Sequence, residues 1–250
     1  CPNEKMKKVK KNSFLCFMIR FGLFSLLLLL VSSFVEPSKK QIPAHFVRIS
    51  FYRYLQQHET TFKEWKTFMN YMTVNKGDRE DRYLPNFEQI ALDWKTKRNL
   101  NEMFEKGQLD SLPVVGIRYE DVLRYVNYKN ELDLVAQKTE SDFKRLKYFL
   151  PTPEIDTLLG KLGTLLPPTK VQKATPNAFP VLPVSHSSGK TKSGIYFYHQ
   201  NVAEMSEIKG IALRGSYKTG LKDAGLGSTQ NYYVPSGFIG FRLWAEVVEE

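Results

Sequence analysis

Past Cys16 the 250-residue chain contains no cysteine; Cys1 and Cys16 are its only two. A domain built from the remaining residues therefore has no internal disulfide, no zinc-thiolate cluster and no cysteine nucleophile, and its stability must come from its core. Histidine is scarce too. His45, His58, His186 and His199 are the only four, and they lack the paired spacing, such as two His four apart, that imidazole-held iron or zinc calls for. The sequence has no Ser-His-Asp signature, phosphate loop or dinucleotide fingerprint. It also lacks a stripe of Lys and Arg interleaved with aromatics, which argues against a nucleic-acid partner.

The formal charge of +10 is unevenly placed. Residues 1–33 hold Lys5, Lys7, Lys8, Lys10, Lys11 and Arg20 against Glu4, leaving 30 basic and 25 acidic residues, or +5, for the rest. From Met6, which reads as the natural start, a basic n-region leads into an apolar run over 21–31 and the small residues Ser32 and Ser33. This is the layout of a secretory signal peptide. An uncleaved anchor stays open, since residues 14–35 are long enough to span a bilayer with Arg20 reaching the interface. Cys16 precedes the apolar core, whereas a thiol destined for lipidation follows it. The expected organisation is a signal peptide or anchor over 1–33, a linker over 34–43 and one domain over 44–250. That domain is expected outside the cytoplasm, in the periplasm or cell envelope, with membrane contact only through the N-terminal segment.

What the domain has in quantity is aromatic side chains: the chain carries thirteen Tyr, seventeen Phe and three Trp. Such a composition suits a loop-rich fold pinned by large rings. Residues 45–52 read as a strand. Thr61-Phe62-Lys63-Glu64 has capping-box spacing and predicts a helix over 62–73. Asn86 precedes a second helical pattern, Leu100, Met103 and Phe104 form its continuation or a separate short helix, and Gly107 is a natural stop. Residues 119–129 place Val122, Tyr125 and Val126 on one helical face. Thr152 is an N-cap candidate, with Pro153 at the first helical position and Glu154 favourable to the dipole, starting a helix through Leu159. The stretch 167–194 reads as a surface loop bearing Lys170, Lys173, Lys190 and Lys192. Short β-like runs follow at 195–198, 211–217 and 238–247. Asp78, Glu80 and Asp81, interleaved with Arg79 and Arg82, read as a solvated loop.

Several segments, in order, resemble the sulfatase-modifying-factor family, whose enzymes generate formylglycine. Ser50-Phe51-Tyr52 followed by His58-Glu59-Thr60-Thr61-Phe62-Lys63-Glu64-Trp65 looks like its opening strand and first helix start. Pro113-Val114-Val115-Gly116-Ile117-Arg118-Tyr119 is similar to its "P-V-x-x-V-S-W" segment, and Leu150-Pro151-Thr152 to its "R-L-P-T" turn. Gly194-Ile195-Tyr196 with Asn201-Val202-Ala203-Glu204-Met205 looks like "G-L-Y-D-M-x-G-N-V-x-E-W". Leu213-Arg214-Gly215-Ser216-Tyr217 approximates "R-G-G-S-W", and Gly240-Phe241-Arg242 matches the closing "G-F-R". The resemblance spans about residues 44–248. It implies an α+β, loop-rich fold related to C-type lectin-like domains.

The departures bear on function. The family's enzymes use a C-terminal cysteine pair to bind copper and activate oxygen, and residues 34–250 contain no Cys. The family's "G-N-V-x-E-W" segment also lies at a structural calcium site. Here Gln200 and Met205 stand at the Gly and Trp positions, while Asn201 and Glu204 keep oxygen donors of the kind a hard cation takes. The alternative is a polar turn whose side chains bond local backbone. Arg242 sits in an apolar run, and a buried Arg must be paired; Glu204 is the candidate partner. The expectation is an exported, non-catalytic interaction or structural module that needs no cofactor, with another envelope protein as partner. The resemblance includes members serving gliding motility and type IX secretion. Two alternatives stay open: an oxygen-dependent oxidase with an unrecognised metal site, and a lectin-like module whose aromatic loop, Asn231-Tyr232-Tyr233, holds a glycan or peptide.

Overall fold

The computed structural model describes residues 45–139, 145–154, 157, 179–186, 190, 191, 193–196, 201–219, 225 and 227–248, the side chains of 136–139 excepted. The expected signal peptide and linker, Lys170, Lys173, Lys192, His199 and Gln200 lie outside the described residues, which all fall within one compact unit, Ile42–Glu250.

Only part of the expected strand over 45–52 forms, and its pairing partner begins just beyond that run. β1 (Phe46–Arg48) and β2 (Arg53–Gln56) pair as an antiparallel hairpin. Between them the Arg48 guanidinium bonds the carbonyls of Ser50 and Phe51, which supports a turn where the sequence reads as continuous strand. Helix α1 (Phe62–Lys76) starts at a complete capping box. The Thr61 hydroxyl accepts the Glu64 amide at 3.1 Å, and the Thr61 amide donates to Glu64 Oε2 at 2.7 Å. The Asn86 side chain caps α2 (Phe87–Trp94), and Asn99 caps α3 (Leu100–Glu105) in the same way.

α4 (Tyr119–Thr139) runs ten residues past the expected end. Tertiary contacts hold the extension: the Asn130 side chain bonds both the amide and the carbonyl of Tyr148, and Asp133 accepts the Leu146 amide at 2.9 Å. Those residues belong to β3 (Leu146–Phe149), a strand too short and too isolated to stand out in the sequence. β4 (Ala203–Met205), β5 (Ile211–Leu213), β6 (Thr229–Asn231), β7 (Ile239–Gly240) and β8 (Trp244–Val247) complete the chain.

The strands form two sheets of order β1-β2-β8-β3 and β6-β5-β4-β7. The first is antiparallel throughout, with β8 between β2 and β3, so that Trp244 lies opposite both Leu55 and Phe149. In the second, β4 pairs antiparallel with β5 and parallel with β7. With helices and strands largely in separate runs, the fold class is α+β. Its core is aromatic. Trp65 stacks on Tyr125 with ring centroids 5.7 Å apart, Phe241 meets both rings edge-on, and Trp65 Nε1 donates to the Tyr83 carbonyl at 2.9 Å. The large rings of the composition thus fill the space between α1, α4 and the β7–β8 connection.

Candidate functional site

Beside this core lies a cluster of charge without access to solvent. The expected turn at Asn201–Glu204 is only half a turn: Asn201 has a left-handed backbone, φ 73°, and the chain then enters β4. Strand geometry turns the Glu204 side chain inward, where it is 1% exposed. Its Oε2 accepts Arg214 Nη2 at 2.5 Å and its Oε1 accepts Arg242 Nε at 2.9 Å. Arg242, wholly buried, also donates to the carbonyls of Gln56, Gln57 and Tyr196 at 3.3, 3.1 and 2.7 Å. The structure therefore brings Asn201, Glu204 and Arg242 into one cluster, and its centre is an ion triad.

The cluster continues through residues that the sequence pattern alone did not single out. Glu59, at 0% exposure, accepts Asn201 Nδ2 through Oε1 at 3.2 Å. Its Oε2 has no hydrogen-bond partner among the described residues and lies 3.8 Å from Arg242 Nη2. Burial outweighs the attraction of Arg242 and pushes the Glu59 carboxyl up to about 8. The Asn201 side chain also bonds the amide and carbonyl of Leu182, and Gln56 Oε1 accepts the Leu243 amide. Arg214 carries a left-handed backbone, φ 65°, rare for a side chain of its kind. A signal for Glu59 and Arg214 was present: each lies in a segment that carries the family resemblance, and Arg214 interrupts an apolar run as Arg242 does.

As arranged, this donor set does not fit a calcium ion. Both Glu204 oxygens bond guanidinium groups, Asn201 Oδ1 accepts the Leu182 amide, and two positive charges border the carboxylate. Among the described residues no group of three or more His, Cys, Asp and Glu is placed to hold a metal ion. Neither does the geometry offer a base to a substrate, because Glu204 has both oxygens occupied and Glu59 meets no solvent. The pattern instead suits a rigid internal clamp.

The other positions singled out in the sequence lie apart. Thr152 stands at the head of a helical turn containing Pro153, Glu154 and Thr157, while Leu159 falls outside the described residues. The Glu154 backbone and then the Thr152 hydroxyl hold the Glu154 carboxyl below its ordinary range. His58 Nδ1 lies 2.8 Å from the Glu59 carbonyl, and burial lowers the imidazole from its ordinary value. In the loop after β6, Tyr233 is 90% exposed whereas the Tyr232 amide is tied to the Gly210 carbonyl. Part of the acidic and basic run over 78–82 is ordered as a 3₁₀ turn, Glu80–Tyr83, with surface pairs Arg79–Asp81 and Arg82–Asp78. No described helix is long and apolar enough to cross a membrane.

No family model matches the chain, and no curated protein matches it. Several solved structures are similar to it in part, two of them as follows. One is the structure of PvdO from Pseudomonas aeruginosa, 16% identical over 85% of this chain and 87% of that one, with a TM-score of 0.48. Another is the crystal structure of CarF, 16% identical over 79% of this chain and 87% of that one, with a TM-score of 0.47.

Proposed function

We propose that the chain is an exported, non-catalytic sulfatase-modifying-factor-like module that acts as an interaction or structural component of the cell envelope, of the kind that serves gliding motility or type IX secretion. The observation that carries this reading is the closed state of the Glu204–Arg214–Arg242 triad. It occupies three of the segments that resemble the family, and every charged side chain in it is at most 2% exposed. A network of this type fixes one arrangement of strands and loops, since breaking it strands a buried charge. Reactive groups, by contrast, must reach a substrate. The absence of Cys from residues 34–250 supports the same reading, because the family's oxygen chemistry uses a cysteine pair. A lectin-like relation of the fold, with its irregular loops carried on a rigid scaffold, is part of the proposal.

Metal analysis of the purified chain tests it. The expected result is no stoichiometric copper or iron, together with melting curves that coincide in millimolar calcium and in chelator. Stoichiometric copper or iron would overturn the reading in favour of an oxidase.

A further inference from the structure

Between α1, the 3₁₀ turn Glu80–Tyr83 and α3 runs an open groove of about 730 Å³. Met69, Leu84 and Phe104 supply its apolar lining, and Lys66, Glu80, Asp81 and Glu105 its charged one. The charges are unequally committed. Lys66 is taken by Asp110, 3.2 Å away, and its ammonium lies 4.6 Å from the Phe104 ring centroid. Asp81 is taken by Arg79, with contacts of 2.6 and 3.1 Å. Glu80 and Glu105 are exposed and form no ion pair among the described residues. The adjoining pocket of about 440 Å³ differs in this respect. Its acids and bases are paired within the protein as Arg79–Asp81, Arg82–Asp78 and Arg118–Asp121, so it offers no spare charge of one sign.

Two uncommitted carboxylates flanking an apolar lining are complementary to a ligand with an apolar side chain and positive charge beside it. On a chain of formal charge +10, this acidity is local rather than a property of the whole surface. We propose that the groove docks a basic segment of a partner protein, with an apolar side chain set against the exposed Leu84 and the edges of the buried Met69 and Phe104, and Lys or Arg side chains against Glu80 and Glu105. The inference rests on the interaction-module reading and gives the partner a chemistry. Because the carboxylates are at the surface, attraction falls with added salt, the screening length being about 8 Å at physiological ionic strength. The apolar contact persists.

The test is fluorescence anisotropy of a labelled Lys/Leu peptide on the full chain, with a Glu/Leu peptide of the same length as control. The Lys/Leu peptide is expected to bind and the Glu/Leu peptide not. Reversing both charges, Glu80→Lys with Glu105→Lys, is expected to weaken binding about tenfold or more, since two attractions become repulsions. Glu207→Lys, an exposed acid outside the groove lining, is expected to leave binding within about twofold. Both target positions are exposed, and far-UV circular dichroism checks that the double variant is folded; Glu80→Gln with Glu105→Gln gives a milder second pair, expected to weaken binding to a smaller extent. Absence of Lys/Leu binding, or equal binding by wild type and both double variants, overturns the proposal. Competition by spermine as effective as that by unlabelled peptide overturns it too and assigns the groove to small polycations. Such a failure leaves the module reading standing, because that reading falls on the metal analysis.

Discussion

At the scale of single residues, Glu59 and Arg242 are 3.8 Å apart and fully buried, close enough to count as an ion pair by distance. Burial decides otherwise. Arg242 spends its Nε on Glu204 and its Nη atoms on three backbone carbonyls, while Glu59 Oε2 receives no hydrogen bond. The acid therefore holds its proton up to about pH 8, against an ordinary value of 4.5. A raised folded-state value means that the native state binds the proton more tightly, so this contribution to stability is complete below pH 4.5 and is lost as pH rises through about 8. The slope from this one group is at most about 1.4 kcal/mol per pH unit. His58, lowered by burial from 6.5, contributes in the opposite sense, which makes the difference between wild type and Glu59→Gln the quantity to measure. Urea denaturation at pH 5 and pH 8.5 is expected to show Glu59→Gln gaining on wild type as pH rises, because the amide keeps the neutral form. An unchanged difference between the two pH values would mean that Glu59 is ionised in the native state. Strain accompanies the cluster. Asn201 and Arg214 both have positive φ, at a cost of about 1–2 kcal/mol for a residue such as Arg, and the Glu204 contact offsets it.

At the scale of elements, two glycines with nearly the same backbone separate conformational cost from packing. Gly77, φ 69°, ends α1 in open space, with nothing within 4 Å of where a Cβ would stand. Gly116, also at φ 69°, donates to the Ser236 carbonyl and accepts the Asn86 amide, and a Cβ there would lie 2.7 Å from Ile90 Cδ1. Alanine at Gly77 is expected to cost about 1 kcal/mol through the backbone alone. Alanine at Gly116 adds the displacement of a buried Ile90, for a total of about 2–4 kcal/mol. Thermal denaturation of the two variants checks the ranking, and equal losses would mean that the segment around Gly116 yields without resistance. The starts at Thr61 and Asn86 were legible because capping is local, each side chain bonding an amide three residues on; Asn99 caps α3 in the same way but is not read as a start from the sequence. The α4 extension was not legible, because Asn130 and Asp133 are polar residues whose partners lie in β3, more than a dozen positions away.

For the molecule as a whole, Arg242 is the tie between the sheets. It lies between β7 and β8, reaches Glu204 in β4 of one sheet and binds the carbonyl of Gln56 in β2 of the other. Arg242→Leu removes the charge, leaves Glu204 with one of its two guanidinium partners and takes a donor from the carbonyls of Gln56, Gln57 and Tyr196, of which Gln57 keeps the Tyr196 amide. The expected loss is about 3–5 kcal/mol. Equilibrium unfolding measures it, and a change within about 0.5 kcal/mol would show that the sheets are held by apolar packing alone.

The sequence by itself determined what depends on neighbours along the chain. The capped helices follow from side chains three residues apart, and the apolar stripe Phe62, Trp65, Phe68, Met69 and Met72 is buried as its spacing demands. The absence of thiols from residues 34–250 is likewise readable without coordinates, as is Arg242 as a charge that needs a partner. Glu204 was already the candidate partner of Arg242, but only the tertiary structure decided that Glu59 and Arg214 join them. Glu59, Glu204, Arg214 and Arg242 are spread over more than 180 positions, and their pairing depends on β4 lying beside both β5 and β7. That arrangement also settled whether Glu204 faces water or the interior. In a three-residue strand each side chain's direction is set by the strands it pairs with, and local sequence carries no record of those partners.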